Sequence, residues 1–460
     1  MKVFRPEWAW WQGAWAREPL LQVTDDGRLV CLQALPEGAT LEPLPGRAML
    51  PGLVNAHSHA FQRAIRGRTE YAATGAGRDD FWSWRELMYR AAERLTPEEV
   101  GLVSRQAFVE MARAGITSVG EFHYLHHAAD GRPYADRLAL ARAVIGAARE
   151  VGLRITLLRV GYARAGHGVA DNPRQRRFID PDLDAVLSDV HALARAHDGD
   201  PLVTVGVAPH SVRAVPREWL EALAGQQAQL PAIHMHVSEQ PAEIQACLAE
   251  HGLRPVELLA ELGLLSPRFT AVHGIHLSER EIQLLGEARA NVCACPTTEA
   301  NLGDGVIPAD ALLEAGAAIC LGSDSQARID LLEEARRLED HLRLVRQRRA
   351  VLDAGGGRVD GLATRLLHAA TRAGALSLGQ EGGRLEDGVP ADFVTFALDH
   401  PSLCGASEAS LLPAILFGAA PDAVREVAVA GRLIVTGGHH PREQEAGRDF
   451  TRVVRRLFDD

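Results

Sequence analysis

Lysine is almost absent from this chain of 460 residues, in which Lys2 is the only one. Without an internal lysine the chain cannot form a Schiff base with a substrate, hold pyridoxal phosphate or complete a phosphate-binding GxxxxGK loop. The basic charge is therefore carried by arginine, and acidic residues outnumber basic ones to give a formal net charge of -11. This balance argues against nucleic acid as a partner, because binding to phosphates requires a basic face.

Cysteines and long apolar runs are also scarce. The six cysteines lack the spacing of a disulfide framework, which is typical of proteins in a reducing cytoplasm. No stretch approaches the roughly 18 consecutive apolar residues of a membrane helix. Charged residues interrupt the N-terminal tryptophan cluster, so this segment does not resemble a secretion signal. We expect a cytoplasmic protein without a membrane partner and, from base rates, a homodimer.

Short apolar runs that alternate with stretches of helical period predict the α/β class and a (β/α)8 TIM-like barrel. The runs occupy residues 49–54, 116–119, 155–160, 202–207, 232–237, 269–272, 290–295 and 317–321. Both chain ends instead show strand and turn patterns, which predict a small β sandwich built from the two ends. The expected domains are residues 48–380 for the barrel, and residues 1–47 and 381–460 for the β domain and the tail.

A pair of histidines ends the first apolar run. His57 and His59 are two residues apart, and such residues of a strand point to the same face, so both imidazoles can reach one ion. Imidazole is a ligand that suits zinc or iron. An ordinary pair of surface histidines is the alternative, and it is disfavoured by the position at a strand end.

Three further strand ends carry matching groups. The fifth strand is followed by His236 and Glu239, the sixth ends at His273, and the eighth is followed by Asp324. Each residue alone has an ordinary structural explanation, such as a capping aspartate or a hydrogen-bonded histidine. Together they surround one end of the predicted barrel, and four or five protein groups around one ion leave a coordination position for water.

Two longer segments resemble the amidohydrolase superfamily: LPGLVNAHSH at residues 50–59 and GRLEDGVPADFV at residues 383–394. The resemblance covers the whole chain and implies that the metal ligands are His57, His59, His236 and Asp324. Many members hold two ions bridged by a carbamylated lysine at the end of strand four. Here that strand ends in Ala208-Pro209-His210, which favours the deaminase-like branch with one divalent ion, for which we predict zinc.

The predicted ligands and their neighbours are suited to hydrolysis. Zinc lowers the pKa of bound water to roughly 7 and so makes hydroxide available at neutral pH. Asp324 can orient that water and take its proton, and His273 can stabilise the hydroxide and shuttle the proton. Glu239 lies three residues beyond His236, and its carboxyl group can protonate a leaving nitrogen.

Four local motifs are similar to the branch of the superfamily that deiminates open-chain formimino groups. They are HAFQRA at 59–64, FWSWRELMYR at 81–90, EFHYLHH at 121–127 and APHSVR at 208–213. The resemblance implies hydrolysis of N-formimino-L-glutamate to N-formyl-L-glutamate and ammonia, a reaction of histidine degradation. The alternatives are an aromatic-base deaminase or a triazine-type hydrolase, a metal-binding scaffold without catalysis, and a carbon–carbon lyase on the same barrel.

A dicarboxylate substrate requires cationic partners. Arg85 and Arg213 can each form a bidentate pair with a carboxylate, and the further hydrogen-bonding candidates are Gln62, Tyr124 and His210. The alternative interpretation of Arg85 is an arginine on the surface of a helix, without a role in binding. We expect Trp82 and Trp84 to pack rather than to stack on the substrate.

Three other features are expected to be structural. Cys293 and Cys295 alternate as in a buried seventh strand. The histidine pairs at residues 126–127 and 439–440 are predicted to lie on the surface.

Overall fold

A computed structural model of the chain describes residues 1–70, 81–170 and 172–459, with residues 81–83 described by their backbone alone. The strands are β1 (Lys2–Trp11), β2 (Ala14–Arg17), β3 (Leu20–Val23), β4 (Leu29–Leu32), β5 (Thr40–Pro51), β6 (Leu53–Ser58), β7 (Ile116–His123), β8 (Arg154–Gly161), β9 (Val203–Pro209), β10 (Ile233–Val237), β11 (Phe269–His273), β12 (Asn291–Ala294), β13 (Ala318–Leu321), β14 (Phe393–Ala397), β15 (Val424–Val429) and β16 (Arg432–Val435).

The helices are α1 (Phe81–Arg94), α2 (Pro97–Arg113), α3 (Ala139–Val151), α4 (Leu183–Ala196), α5 (Arg217–Gln226), α6 (Pro241–His251), α7 (Pro255–Glu261), α8 (Glu279–Glu287), α9 (Pro296–Leu302), α10 (Ala309–Ala315), α11 (Leu331–Arg346), α12 (Gly361–Ala370), α13 (Arg372–Ser377), α14 (Glu408–Gly418) and α15 (Glu443–Phe458). In the described ranges no helix is long and apolar enough to cross a membrane.

The predicted barrel is confirmed. Strands β6 to β13 are hydrogen-bonded side by side in chain order, and the pairings between them are parallel. The first predicted run, residues 49–54, is divided between β5 and β6, which belong to different sheets. Gly52 lies at the division, where a Cβ atom would stand 2.2 Å from Oγ1 of Thr117, so glycine allows the close approach.

The barrel is joined between β6 and β13 at their carboxyl ends. The Asp324 N–H donates to the His57 carbonyl, and the His59 N–H donates to the Asp324 carbonyl, each at 3.0 Å. Beside them the Oδ1 atom of Asn55 accepts from the Ser323 N–H at 2.9 Å. The Asn55 side chain thus extends the hydrogen-bonded contact between the ends of β6 and β13, which we call the seam. Three predicted metal ligands therefore lie on the last contact of the barrel wall.

The amino end of the barrel is filled by helix α13 and the residues after it. The Thr156 hydroxyl donates to the Leu378 carbonyl at 3.0 Å, and Nε2 of His234 lies 2.8 Å from the Ser377 carbonyl. The His234 ring is thus hydrogen-bonded inside the barrel, away from the predicted metal ligand His236 two residues further along the chain. A cavity lined by residues that end or follow the barrel strands lies at the opposite, carboxyl end.

The predicted small β domain from both chain ends is also confirmed. Its strands form one continuous sheet in the order β16-β15-β14-β5-β1-β3-β4, with β2 paired to β1. The rings of Phe4 and Phe393, from opposite ends of the chain, meet edge to face with centroids 4.9 Å apart. Strand β5 crosses the predicted boundary between residues 47 and 48, and the domain limits themselves stay a prediction.

The expectation of surface histidine pairs is wrong for three of the four rings. His126, His127 and His440 are buried, and only His439 is exposed. Their Nε2 atoms lie 2.9 to 3.0 Å from backbone carbonyls of residues 160, 179 and 151, respectively. A hydrogen bond to a carbonyl offsets the cost of burying the polar ring, so these histidines are compatible with the core.

Candidate functional site

The four predicted metal ligands converge on one point at the carboxyl end of the barrel. The Nε2 atom of His57 lies 3.2 Å from Nε2 of His59 and 3.2 Å from Nε2 of His236. Oδ1 of Asp324 lies 3.2 Å from Nε2 of His59 and 3.4 Å from Nε2 of His57. All four side chains are buried.

This cluster fits a divalent ion. Nδ1 of His59 lies 3.0 Å from the Phe122 carbonyl and Nδ1 of His236 lies 3.2 Å from the His210 carbonyl, so both Nδ1 atoms donate. In the neutral rings both Nε2 atoms then carry lone pairs, and His57 can donate a proton to only one of them. A cation satisfies all of them, and ligands about 2.1 Å from a tetrahedral zinc ion lie roughly 3.4 Å from one another.

The electrostatics favour the deprotonated forms of His57, His236 and Asp324. Burial lowers the pKa of His57 to about 3 and lowers the pKa of His236 well below its usual range. Burial alone would raise the pKa of Asp324, but the neighbouring imidazoles of His57 and His59 hold it well below its ordinary value. Neutral imidazoles and an ionised carboxylate are the forms that bind metal ions.

Three acidic residues surround His273 beside the metal ligands. Its Nε2 atom lies 3.6 Å from Oε1 of Glu239 and 3.8 Å from Oδ2 of Asp324, and its Nδ1 atom lies 3.4 Å from Oε1 of Glu299. Burial would lower the pKa of His273, but the three carboxylates outweigh burial and raise it to about 10. Burial also raises the pKa of Glu239. The geometry brings together the groups that we predict to handle protons.

The five predicted substrate-binding residues line one cavity above the metal ligands. The lining consists of His59, Gln62, Trp84, Arg85, Met88, Tyr124, His210, Arg213, His236, Glu239, His273, Leu302 and Asp324. Trp84 thus faces the cavity, whereas the side chain of Trp82 lies outside the described residues. The structure places the predicted residues together, and their individual roles stay predictions.

The cavity presents incompletely used hydrogen-bonding groups. Nη1 of Arg213 is buried and has no hydrogen-bond partner among the residues that the structure describes, and the same holds for Oε1 of Gln62. The Gln62 amide donates to the Tyr124 hydroxyl at 2.7 Å, and Nη2 of Arg85 donates to the Tyr162 hydroxyl at 3.1 Å. A bound ligand can supply the missing acceptor to Arg213.

A second, outer cavity shares Arg85 and Arg213 with the first. It is otherwise lined by Glu86, Tyr89, Ala165, Gly166, His167, Val169, Ala170, Asn172, Pro173, Gln175, Val212, Ala246, Cys247 and Glu250. The two arginines therefore lie at the border between the two cavities.

Sequence reasoning missed a buried network behind the ligands. Glu121 accepts from the Ser58 hydroxyl at 2.6 Å and from the Ala60 N–H at 2.7 Å, and burial raises its pKa to about 7. The Gln326 amide donates to the Ser58 hydroxyl at 2.9 Å and to the Asp324 carbonyl at 2.8 Å. Only the position of Glu121 near the end of the second barrel strand could have signalled this network.

The site belongs to a recognised class of metal-dependent hydrolases. The amidohydrolase family model matches residues 48–434, and the chain belongs to this family. It is a hydrolase that acts on carbon–nitrogen bonds other than peptide bonds.

Individual relatives carry more specific names. The chain is 39% identical over 452 residues to the formimidoylglutamate deiminase of Pseudomonas aeruginosa, with 97% of each chain covered. It is 31% identical to a 5-methylthioadenosine/S-adenosylhomocysteine deaminase of Halobacterium salinarum, with 82% of this chain and 80% of that one covered. A crystal structure of an amidohydrolase from Brucella melitensis superposes with a TM-score of 0.90 at 34% identity and covers 99% of this chain and 100% of its own.

Proposed function

We propose that this enzyme hydrolyses N-formimino-L-glutamate to N-formyl-L-glutamate and ammonia, as a reaction of histidine degradation. The observation that carries the proposal is Arg213, which lines the cavity beside the predicted metal ligands and whose buried Nη1 atom lacks a partner among the described residues. Arg85 lines the same cavity. Because the chain has a net charge of -11, the two carboxylates of this substrate need such local arginines. The similarity to formimidoylglutamate deiminase supports the same substrate.

We propose one zinc ion as the cofactor, held by His57, His59, His236 and Asp324. A bound zinc ion lowers the pKa of water to roughly 7 and so supplies the nucleophile at neutral pH. A second ion bridged by a carbamylated lysine is disfavoured, because Lys2 is the only lysine and pairs with Glu42 in the β domain at 3.4 Å.

The protein groups then handle the protons. Asp324 orients the attacking water and accepts its proton, and His273, with Nε2 3.8 Å from Oδ2 of Asp324, stabilises the hydroxide and relays the proton. The oxygen bonds to the formimino carbon, and Glu239 protonates the terminal nitrogen. The terminal nitrogen of the protonated formimino group already carries two hydrogens, so it leaves as ammonia with the proton from Glu239 when the carbon–nitrogen bond breaks. Asp324, having passed the first water proton through His273 to restore Glu239, accepts the proton of the remaining hydroxyl as the formyl carbonyl forms, and releases it to the solvent.

The two cavities suit an open-chain substrate. The formimino group must reach the metal ligands, whereas the carboxylates must reach the arginines, which stand at the border with the outer cavity. We further propose a cytoplasmic location, which the six free cysteines support, and a homodimer, the commonest assembly of soluble oligomers.

The test measures ammonia release across a substrate panel. We expect kcat/KM for N-formimino-L-glutamate to exceed that for N-formiminoglycine, which has a single carboxylate, by roughly 10-fold or more. Guanine, cytosine and S-adenosylhomocysteine should be poor substrates. A preference for any of these three compounds would refute the dicarboxylate proposal and leave the family assignment intact.

A further inference from the structure

A cysteine borders the proton-handling side of the site without a role in the reaction proposed above. Cys295 follows strand β12 and precedes helix α9, and it is buried. Its Sγ atom, a ring nitrogen of His273 and a carboxylate oxygen of Asp324 all lie within 4.8 Å of one another. Glu299 fixes this arrangement, because it accepts from the Cys295 N–H at 2.8 Å and contacts Nδ1 of His273 at 3.4 Å.

The carboxylate of Asp324 is placed between two groups of ligands. Its Oδ1 atom lies 3.2 Å from Nε2 of His59 on the side of the predicted catalytic ion. Its Oδ2 atom lies 3.8 Å from Nε2 of His273, which is itself 3.6 Å from Oε1 of Glu239. The two oxygen atoms of the Asp324 carboxylate can therefore each bind a different ion.

We propose that His273, Cys295 and Asp324 form a second metal site for a soft or borderline divalent cation such as Cd²⁺ or Zn²⁺, adjacent to the catalytic ion. Thiolate and imidazole ligands select such cations, whereas Mg²⁺ and Ca²⁺ prefer oxygen. Binding deprotonates the Cys295 thiol, and any proton on Nε2 of His273, and releases these protons to the solvent. An ion bound at this second site occupies His273 and Asp324, which the proposed reaction needs. Metal in excess therefore inhibits the enzyme.

The inhibitory effect rests on the proposed roles of His273 and Asp324, but binding does not. Nearby thiols offer matched controls, because Cys293 and Cys320 are buried in the same barrel interior as Cys295. Among the described residues neither belongs to a group of candidate ligands that converges on one point. Replacing either tests whether any buried thiol accounts for the binding.

The binding experiment uses enzyme with cadmium in its catalytic position, titrated with further Cd²⁺ without oxygen. We expect an ultraviolet thiolate-to-cadmium band that saturates at about one further ion per chain. Cys295→Ser should lose the band and weaken the second binding step by roughly 10²-fold or more, since loss of even an outer partner costs about 10- to 100-fold. Cys293→Ser should keep the band and the affinity of the second binding step. An absent band in the wild type, or a band retained in Cys295→Ser, overturns the site.

Cadmium NMR of the wild type keeps the proposal testable if Cys295→Ser does not fold. A second resonance shifted downfield by a sulfur ligand is expected, and a single resonance at saturation contradicts the proposal. For inhibition, excess Cd²⁺ should depress ammonia release by the wild type more than by Cys295→Ser, each relative to its own rate without excess metal. Lack of turnover of formiminoglutamate would refute the proposed function and leave the spectroscopic result unaffected.

Discussion

Arg213→Met tests the dicarboxylate specificity at its most informative residue. The side chain of Arg213 lines both cavities, and its buried Nη1 atom has no partner among the described residues. Methionine retains much of the length of the side chain and removes the charge and all the donors. We therefore expect the variant to fold and keep its metal, and to stabilise the transition state of the reaction less than the wild type does.

The magnitude follows from the lost contact. A hydrogen bond to a charged group contributes about 1.5–3 kcal/mol, and about 1.4 kcal/mol corresponds to a factor of ten. The expected fall in kcat/KM for formiminoglutamate is therefore roughly 10- to 150-fold. It rises toward about 10³-fold if the carboxylate stays buried and poorly paired in the variant. Arg213→Lys should restore only part of the loss, because an ammonium group lacks the planar fork.

Steady-state ammonia release, with metal content measured in parallel, provides the assay. Arg217→Met is the matched control, since Arg217 lies in the same strand–helix unit but pairs with Glu221 and Glu261 at the surface, at 2.9 and 2.7 Å. Its kcat/KM should change by less than about twofold. N-formiminoglutamine lacks the side-chain carboxylate. If Arg213 pairs with that carboxylate, wild type and Arg213→Met should have the same kcat/KM for N-formiminoglutamine. Equal kcat/KM for wild type and Arg213→Met on formiminoglutamate would refute the reasoning.

Three further predictions concern the metal and proton transfer. Glu239→Gln should keep its metal, because Glu239 is not a predicted ligand, and should lose about 10²-fold or more in turnover; near-native turnover would make Glu239 a structural residue. Fully active enzyme should contain about one divalent ion per chain, and chelation should abolish activity that zinc restores; two ions per fully active chain would contradict the single-ion site. Gln326→Leu removes the donor to Ser58 and to the Asp324 carbonyl and should weaken metal binding by about 10- to 100-fold in a chelator competition, whereas unchanged affinity would show that the network does not position the ligands.

The convergence of the ligands could be predicted because the carboxyl ends of parallel strands meet at one end of a barrel. The order of the apolar runs assigns His57, His236, His273 and Asp324 to different strands, so strand ends alone place these residues together. The distance between residues in sequence does not matter for such a prediction. The same reasoning placed His210 and Arg213 near the site through the end of strand four.

Contacts made by loops and helices could not be predicted from the positions of the strand ends. Glu299 reaches His273 from helix α9, and Tyr162 meets Arg85 from the end of β8, and neither pair has a local sequence pattern. The division of residues 49–54 between two sheets depends on the packing of Gly52 against Thr117. These features arise from tertiary packing between distant segments, which periodicity does not encode.

The position of Asp324 connects the closure of the barrel to the assembly of the site. Its backbone makes hydrogen bonds with His57 and His59 across the seam, while its carboxylate faces the imidazoles of the same two residues. Asp324 also has a φ of +43°, an uncommon conformation for a residue with a side chain, which costs free energy that the seam must offset. The ion that we propose and the barrel wall would therefore hold the same three residues. Arg85 is on α1 and Arg213 is on the loop after β9, both outside this seam, so we expect that substitutions at the two arginines change substrate preference without disturbing the predicted metal ligands.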